Sequence, residues 1–159
     1  MNTEALKELI KNGLAAQQAG SKVAAKATDD IQDDATDAEL KALLKHGNET
    51  AKEWKQRIER AISEIGGVDD QDNEILEAHF EVSKKIRSEA DTPEVRDLGI
   101  IAAGQLALHY WIGSFGTIAS YAKACGLMQT AQDLHDSVED AKQADEQHTT
   151  LAKRLLAVS

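Results

Sequence analysis

The sequence predicts an all-α fold: an up-down bundle of five helices in a single domain spanning residues 1–159. Three observations predict it. The chain has one proline in 159 residues, and helix formers (alanine, leucine, glutamate, lysine, glutamine) dominate it. Three long segments each carry one apolar stripe on a four-three spacing, and no segment alternates as a strand would. A fourth segment is apolar on nearly every face, with no formally charged residue from Leu98 to Ala122. One such helix among amphipathic ones is the signature of a helix central to a bundle.

The first helix is expected from about Thr3 to Thr28, ending in the acidic turn "TDDIQDDATD". Its stripe reads Leu6, Ile10, Gly13, Gln17, Gly20, Ala24, Ala27, Ile31. The second opens with a capping box, Thr36 as N-cap and Glu39 three residues on, and ends at Gly66-Gly67. Its stripe is Leu40, Leu44, Gly47, Ala51, Trp54, Ile58, Ala61, Ile65. A shorter third helix covers about Asp72 to Glu89. The fourth starts at "DTPEV", with Thr92 as N-cap and Pro93 at the first helical position, where a missing N–H costs nothing. It stops at Gly126. The fifth runs from about Met128 to Ala157, with Leu134, Val138, Ala141, Asp145, His148, Ala152 and Leu155 on its stripe.

Charge and composition exclude several functions. A net charge of −10 argues against nucleic acid and against anionic membrane surfaces, both of which would repel the chain. One cysteine, Cys125, excludes an intramolecular disulfide and a cysteine-based zinc cluster. The beginning "MNTEALKELI" is acidic with no apolar run, unlike a signal peptide, so the expected compartment is the cytoplasm. The uncharged stretch is long enough for a bilayer. It nevertheless contains Gln105, His109, Ser114, Thr117 and Ser120, and only Arg96 and Lys123 flank it. A single span would also leave three amphipathic helices unpacked, so a core helix is the expectation.

Bundles of this kind often hold metals. A di-iron carboxylate site needs a Glu from each of two helices and a Glu-x-x-His pair from each of two others. This chain has no Glu-x-x-His; Asp145-x-x-His148 is the nearest approach, while His46-x-x-Glu49 is reversed and off the stripe. One stripe carboxylate and one stripe histidine cannot hold two irons.

The segment "EVRDLGIIAAGQLALHYWIGSFGTIASYAKACG", followed by "AQDLHDSVEDAKQADEQHTTLA", resembles the YciE/YciF-type ferritin-like proteins of bacteria. The resemblance covers Glu94 to Ala152 and continues, more weakly, over the first 65 residues. It implies a five-helix, ferritin-like bundle with a dimetal centre, found as a dimer and linked to stress responses. The family's pieces are Ala-Glu-Lys-Gln on the first helix, Glu-x-x-His on the second, Glu-His-Tyr-Glu on the long helix and an acidic run on the last. Carried over, the first-helix Glu falls on Gln17, and the second-helix Glu and His fall on Asn48 and Ala51. The long-helix motif reads Leu108-His109-Tyr110-Trp111. In the last helix one acid falls on Ala141 and only Asp145 survives. The resemblance thus supports the fold and undercuts the family's metal chemistry.

The expectation is a non-enzymatic bundle with no catalytic, cofactor or metal residues, acting through protein contacts or a stress-related structural role. Self-association as a homodimer is expected, because the family pairs up and Gly99, Ala102, Ala103 and Gly104 permit close helix approach. The alternative is a metal-binding protein or oxidoreductase built from Glu77, His79, His109, Asp145 and His148, if these converge. Simpler readings stand beside it: Asp145 and His148 as a mutual hydrogen-bonded pair, and His109 as a core histidine on a carbonyl. Gln17 and Gln105 could form a buried polar layer that sets helix register. "DDQDNE" at 69–74 lacks an EF-hand's glycine and terminal Glu, so it reads as a solvated turn. Cys125, near Lys123, reads as an inert thiol.

Overall fold

The computed structural model describes residues 2–157. Five helices follow in order: α1 Thr3–Asp34, α2 Ala38–Glu64, α3 Glu74–Glu89, α4 Pro93–Ala124 and α5 Met128–Leu155. The packed pairs α1–α2, α2–α5, α5–α4 and α4–α1 close a four-helix ring, and α3 lies outside it against α1 and α4. Contacts at the helix ends set the directions. Glu64 at the end of α2 meets Thr130 at the start of α5, and Asp97 at the start of α4 meets Thr36 and Asp37 before α2. Ring neighbours therefore run antiparallel, while α2 and α4 are parallel across the diagonal.

Two hydrophobic clusters occupy the two ends of the ring. The larger holds Ile10, Leu14, Trp54, Ile58, Leu76, Trp111, Phe115 and Leu134. The smaller, at the other end, holds Ala35, Leu40, Ile100, Ile101 and Leu151. Fully buried side chains such as Ile10, Leu14, Phe115 and Leu134 each contribute about 1.5–3 kcal/mol by leaving water. Outside the ring, α3 is seated through its N-cap. Asn73 accepts from the Leu76 N–H and donates to the Ala16 carbonyl and the Tyr110 hydroxyl, both at 2.8 Å. Gly20 makes room for this seat, since a Cβ there would stand 2.8 Å from Asn73 Nδ2.

Several sequence expectations need correction. The first helix does not end at Thr28 but continues to Asp34. Ile31 packs on the second cluster, and Asp34 accepts from the buried Arg87 of α3 at 2.8 Å, so the acidic run has tertiary partners. The N-cap of α2 is Asp37, not Thr36; its carboxylate accepts from the N–H groups of Glu39 and Leu40. Thr36 is instead held by Asp97. The third helix begins at Glu74 rather than Asp72, because Asn73 caps it. Thr92 and Pro93 open α4 as expected. Gly66, Gly67 and Gly126 follow the ends of α2 and α4 with φ of 90°, 96° and 75°, values that suit a residue without Cβ.

The fourth helix is long and apolar enough to cross a membrane by length and composition, yet it packs on α1, α3 and α5 within the bundle. It is not buried on every side: Val95 and Leu106 are exposed. Of the four small residues expected at a dimer contact, only Ala102 faces outward. A Cβ at Gly99 would lie 2.7 Å from Ile86 of α3, a Cβ at Gly104 would lie 3.0 Å from His148 of α5, and Ala103 is buried. Their close approach operates within the chain. Gln17 and Gln105 do not meet either. Gln17 donates to Ser114, and Gln105 donates to Asp145 and Thr149.

Carboxylates from neighbouring helices serve as caps at both ends of the ring. Asp97, 2% exposed, accepts from Thr36 N, Thr36 Oγ1 and Asp37 N at 2.7–2.8 Å. At the opposite end α5 lacks a side-chain cap of its own, and Glu64 accepts from Thr130 N and Oγ1. Charge-assisted hydrogen bonds of this kind are stronger than neutral ones. Asp97→Ala should therefore lower stability by about 2–4 kcal/mol, because it removes three such bonds at a buried position. Urea denaturation checks this; an unchanged midpoint would show that the cap contributes nothing.

Candidate functional site

Between the two clusters the ring is not filled. A cleft of about 600 Å³ lies among α1, α2, α4 and α5. It exists because small residues share one layer: Ala24 and Ala25 on α1, Ala51 on α2, Gly104 and Ala107 on α4, and Ala144 on α5. The stripe of α2 shows the gap directly. Leu40 and Trp54 are buried, but Gly47 between them is exposed, with nothing within 4 Å of where its Cβ would stand. Every residue of α2 from 43 to 52 borders the cleft, which therefore runs along both flanks of that helix and opens to solvent there.

One end of the cleft is aromatic. Trp111 stacks on Phe115 with centroids 5.0 Å apart, and Trp54 lies 5.9 Å from Trp111. The Trp54 indole N–H donates to Asp140 at 3.2 Å, and the same carboxylate oxygen accepts from Arg57 at 2.6 Å. Phe80 of α3 and Leu108 of α4 complete the apolar wall, and the rim is polar with both signs of charge: Asn48, Gln143 and Gln147 stand beside Asp29, Glu49 and the lysines Lys45, Lys52 and Lys55.

His148 marks the other end. It is 6% exposed, and its Nδ1 sits 2.7 Å from the Ala144 carbonyl. A carbonyl only accepts, so Nδ1 carries the proton and Nε2 is left as a bare acceptor. Nε2 lies over Gly104 and has no hydrogen-bond partner among the described residues. Burial pushes the imidazole below its ordinary pKa, against smaller raising effects of the Ala144 carbonyl and Asp145, which favours the neutral form.

The five residues of the sequence-based alternative do not converge. His109 and Asp145 meet, with Nε2 to Oδ2 at 3.1 Å, but on the exterior: the His109 side chain is 66% exposed. Asp145 also accepts from Gln105 at 3.1 Å. His109 is thus a surface residue on a carboxylate, not a core residue on a carbonyl. Asp145 and His148 are not paired with each other, because His148 turns into the cleft while Asp145 faces outward to His109. Glu77 is exposed on α3, and His79 sits edge-on to Phe80 at 4.9 Å, its pKa lowered by burial. Cys125 is half-buried. Among the described residues no group of three or more His, Cys, Asp or Glu is placed to hold a metal ion.

The residues at the positions where the resemblance implies metal ligands do not fit a dimetal centre. Asn48, Ala51, Leu108 and Trp111 all border the cleft, and Ala141 is buried in the larger cluster. Gln17, buried with its Oε1 unpartnered, adds one neutral amide oxygen. Amide oxygens bring no charge to offset two metal dications. Phe80 and Ala144 were not singled out from the sequence, Trp54 was read only as a stripe residue of α2, and Gly104 only as a dimer contact. The available signal was the run of small residues at one height on four helices, which shows only once the helices are aligned.

Comparison with known proteins agrees with this architecture. The family profile described as a domain of unknown function, DUF892, matches residues 5–158. Protein YciF of Escherichia coli (strain K12) is 35% identical over 77 residues, 48% of this chain and 46% of that protein, so the alignment spans about half of that relative. The crystal structure of the E. coli stress protein YciF superposes with a TM-score of 0.91 at 22% identity, covering 97% of this chain and 98% of that one. YcfI of Rhodopseudomonas palustris, described as a candidate structural protein, superposes with a TM-score of 0.87 at 20% identity, covering 91% and 93%. The chain belongs to the DUF892 family.

Leu108→Glu restores a carboxylate where the resemblance places a metal ligand. It should cost about 1–3 kcal/mol, the lower part of the range for a buried polar group because the cleft can admit water. Iron or zinc should not restore the lost stability, since Asn48, Ala51 and Trp111 add no charged donor. Thermal melts with and without metal check this; tight metal binding with full recovery would reveal a latent site.

Proposed function

We propose that this DUF892-family chain is a ferritin-like bundle without a dimetal centre, which acts by binding and structural association rather than by catalysis. The observation that carries this reading is the composition of the central layer. Where the resemblance implies acids and a histidine, the chain has Asn48, Ala51, Leu108, Trp111 and Ala141 around or beside an apolar cleft. Asp145, the surviving acid, is held by Gln105 and His109 on the outer side. The relatives' descriptions, a stress protein and a candidate structural protein, support a structural role under stress.

The same reading places the chain in the cytoplasm as a homodimer. A lone free thiol fits a reducing compartment. Exposed apolar side chains on the neighbouring helices α3 and α4, Val82, Ile86, Val95 and Leu106, offer an association surface. The charge of −10 weighs against nucleic acid and anionic membranes as partners.

Two measurements test the reading. After anaerobic iron loading and desalting, elemental analysis should find well under one equivalent of metal per chain, and a chelator should leave the melting temperature unchanged, because no metal affinity is linked to folding. Stoichiometric iron would overturn the metal-free reading. Light scattering at micromolar concentration should give about twice the chain mass of 17.3 kDa; a monomer would remove the dimer from the account.

A further inference from the structure

We propose that the central cleft binds a small neutral molecule that is mostly apolar and carries one hydrogen-bond donor, of the aromatic alcohol class. The site is built from three features. The first is space: about 600 Å³ lies within the usual range for small-molecule pockets, roughly 300–1,000 Å³. The second is the wall of Trp54, Trp111, Phe80 and Leu108, which suits an aromatic ring and an alkyl tail. The third is His148. Its side chain is more than nine-tenths buried, its Nδ1–H is used on Ala144, and its Nε2 is an acceptor facing the cleft with no protein partner.

These features fix the ligand class. A bare imidazole nitrogen accepts one hydrogen bond, so the ligand must bring an O–H or N–H. An anion at the inner end would meet the His148 lone pair, since the bordering lysines Lys45, Lys52 and Lys55 sit at exposed positions, and the chain as a whole carries a charge of −10. A cation at the inner end would lose its water without a carboxylate beside it, because Asp29 and Glu49 border the cleft from exposed positions and Asp140 is already taken by Arg57 and Trp54. Water alone fills the inner part poorly, since an ordered water needs two to four polar partners and the inner wall offers few. A neutral alcohol or phenol with an apolar body satisfies all these conditions. The ligand occupies the layer where the resemblance puts metals, so the inference rests on the metal-free reading above.

The test uses 4-butylphenol and 4-butylanisole, which differ by the donor hydroxyl, with the iron-free full-length protein. Trp54 and Trp111 are the chain's two tryptophans and both line the cleft, so intrinsic fluorescence reports occupancy directly. Isothermal titration gives the stoichiometry. The phenol should bind saturably, one per chain, about five- to tenfold tighter than the ether, the value of one net hydrogen bond. His148→Phe should erase that preference while leaving apolar binding. Ala144→Phe, which fills the cleft, should weaken both probes more than about tenfold with the melting temperature held or raised; Ala51→Phe does the same from α2 should the first variant fail to fold. Absence of saturable binding, equal affinity for both probes, or undiminished binding in the folded filled variants would overturn the inference. Iron uptake in the loading experiment overturns the metal-free reading, whereas failure of 4-butylphenol in iron-free protein overturns this inference alone.

Discussion

Four long helices in a ring must fill the space between them layer by layer, and the rest of this structure depends on how that demand is met. At one end Trp54, Trp111, Phe115, Leu14 and Leu134 fill it. At the other end Leu40, Ile100, Ile101 and Leu151 fill it. Between them the helices present glycine and alanine, which are too small to reach across. Protein interiors are otherwise packed as densely as organic crystals, so a vacancy of this size forfeits contact energy along its whole lining. The bundle must hold its helices in place from the ends.

The polar contacts supply that hold. Asp97 ties the start of α4 to the start of α2, and Glu64 ties the end of α2 to the start of α5. Arg57 and Arg60 of α2 reach Asp140 and Asp133 of α5, and Arg154 of α5 returns to Asp37 and Glu39. These pairs flank the cleft above and below. Isolated exposed ion pairs add little, but the fork of Arg60 on the buried Asp133 and the cap at the buried Asp97 are of the stronger kind. They fix the separation of α2 and α5, and the cleft persists between them.

Much of the fold was legible because its signals are local. Thr92 and Pro93, the glycine pair after α2 and Gly126 after α4 mark helix ends wherever they occur. The errors arose where a distant residue decides. Asp29 to Asp34 look like a turn until Arg87, more than fifty positions away, takes up Asp34. Thr36 looks like a cap until Asp97 claims it. The histidines show the same limit. His148 and Asp145 lie three positions apart on one stripe, yet one turns inward and the other outward, a choice made by Gly104, Gln105 and His109 on α4. The cleft itself was illegible, since no single helix carries it.

The resemblance and the structure bear on the centre of the bundle from different sides. The family membership and the superpositions give the helical frame, and the residues set into that frame favour an apolar interior over a charged one. The proposed function turns on a middle layer that holds no metal. Crystals grown with manganese and measured at its absorption edge test it most directly. No anomalous peak is expected among Asn48, Ala51, Leu108, Trp111 and Ala141, with ordinary apolar packing or organic density there. A strong peak bonded to side chains of that layer would contradict it.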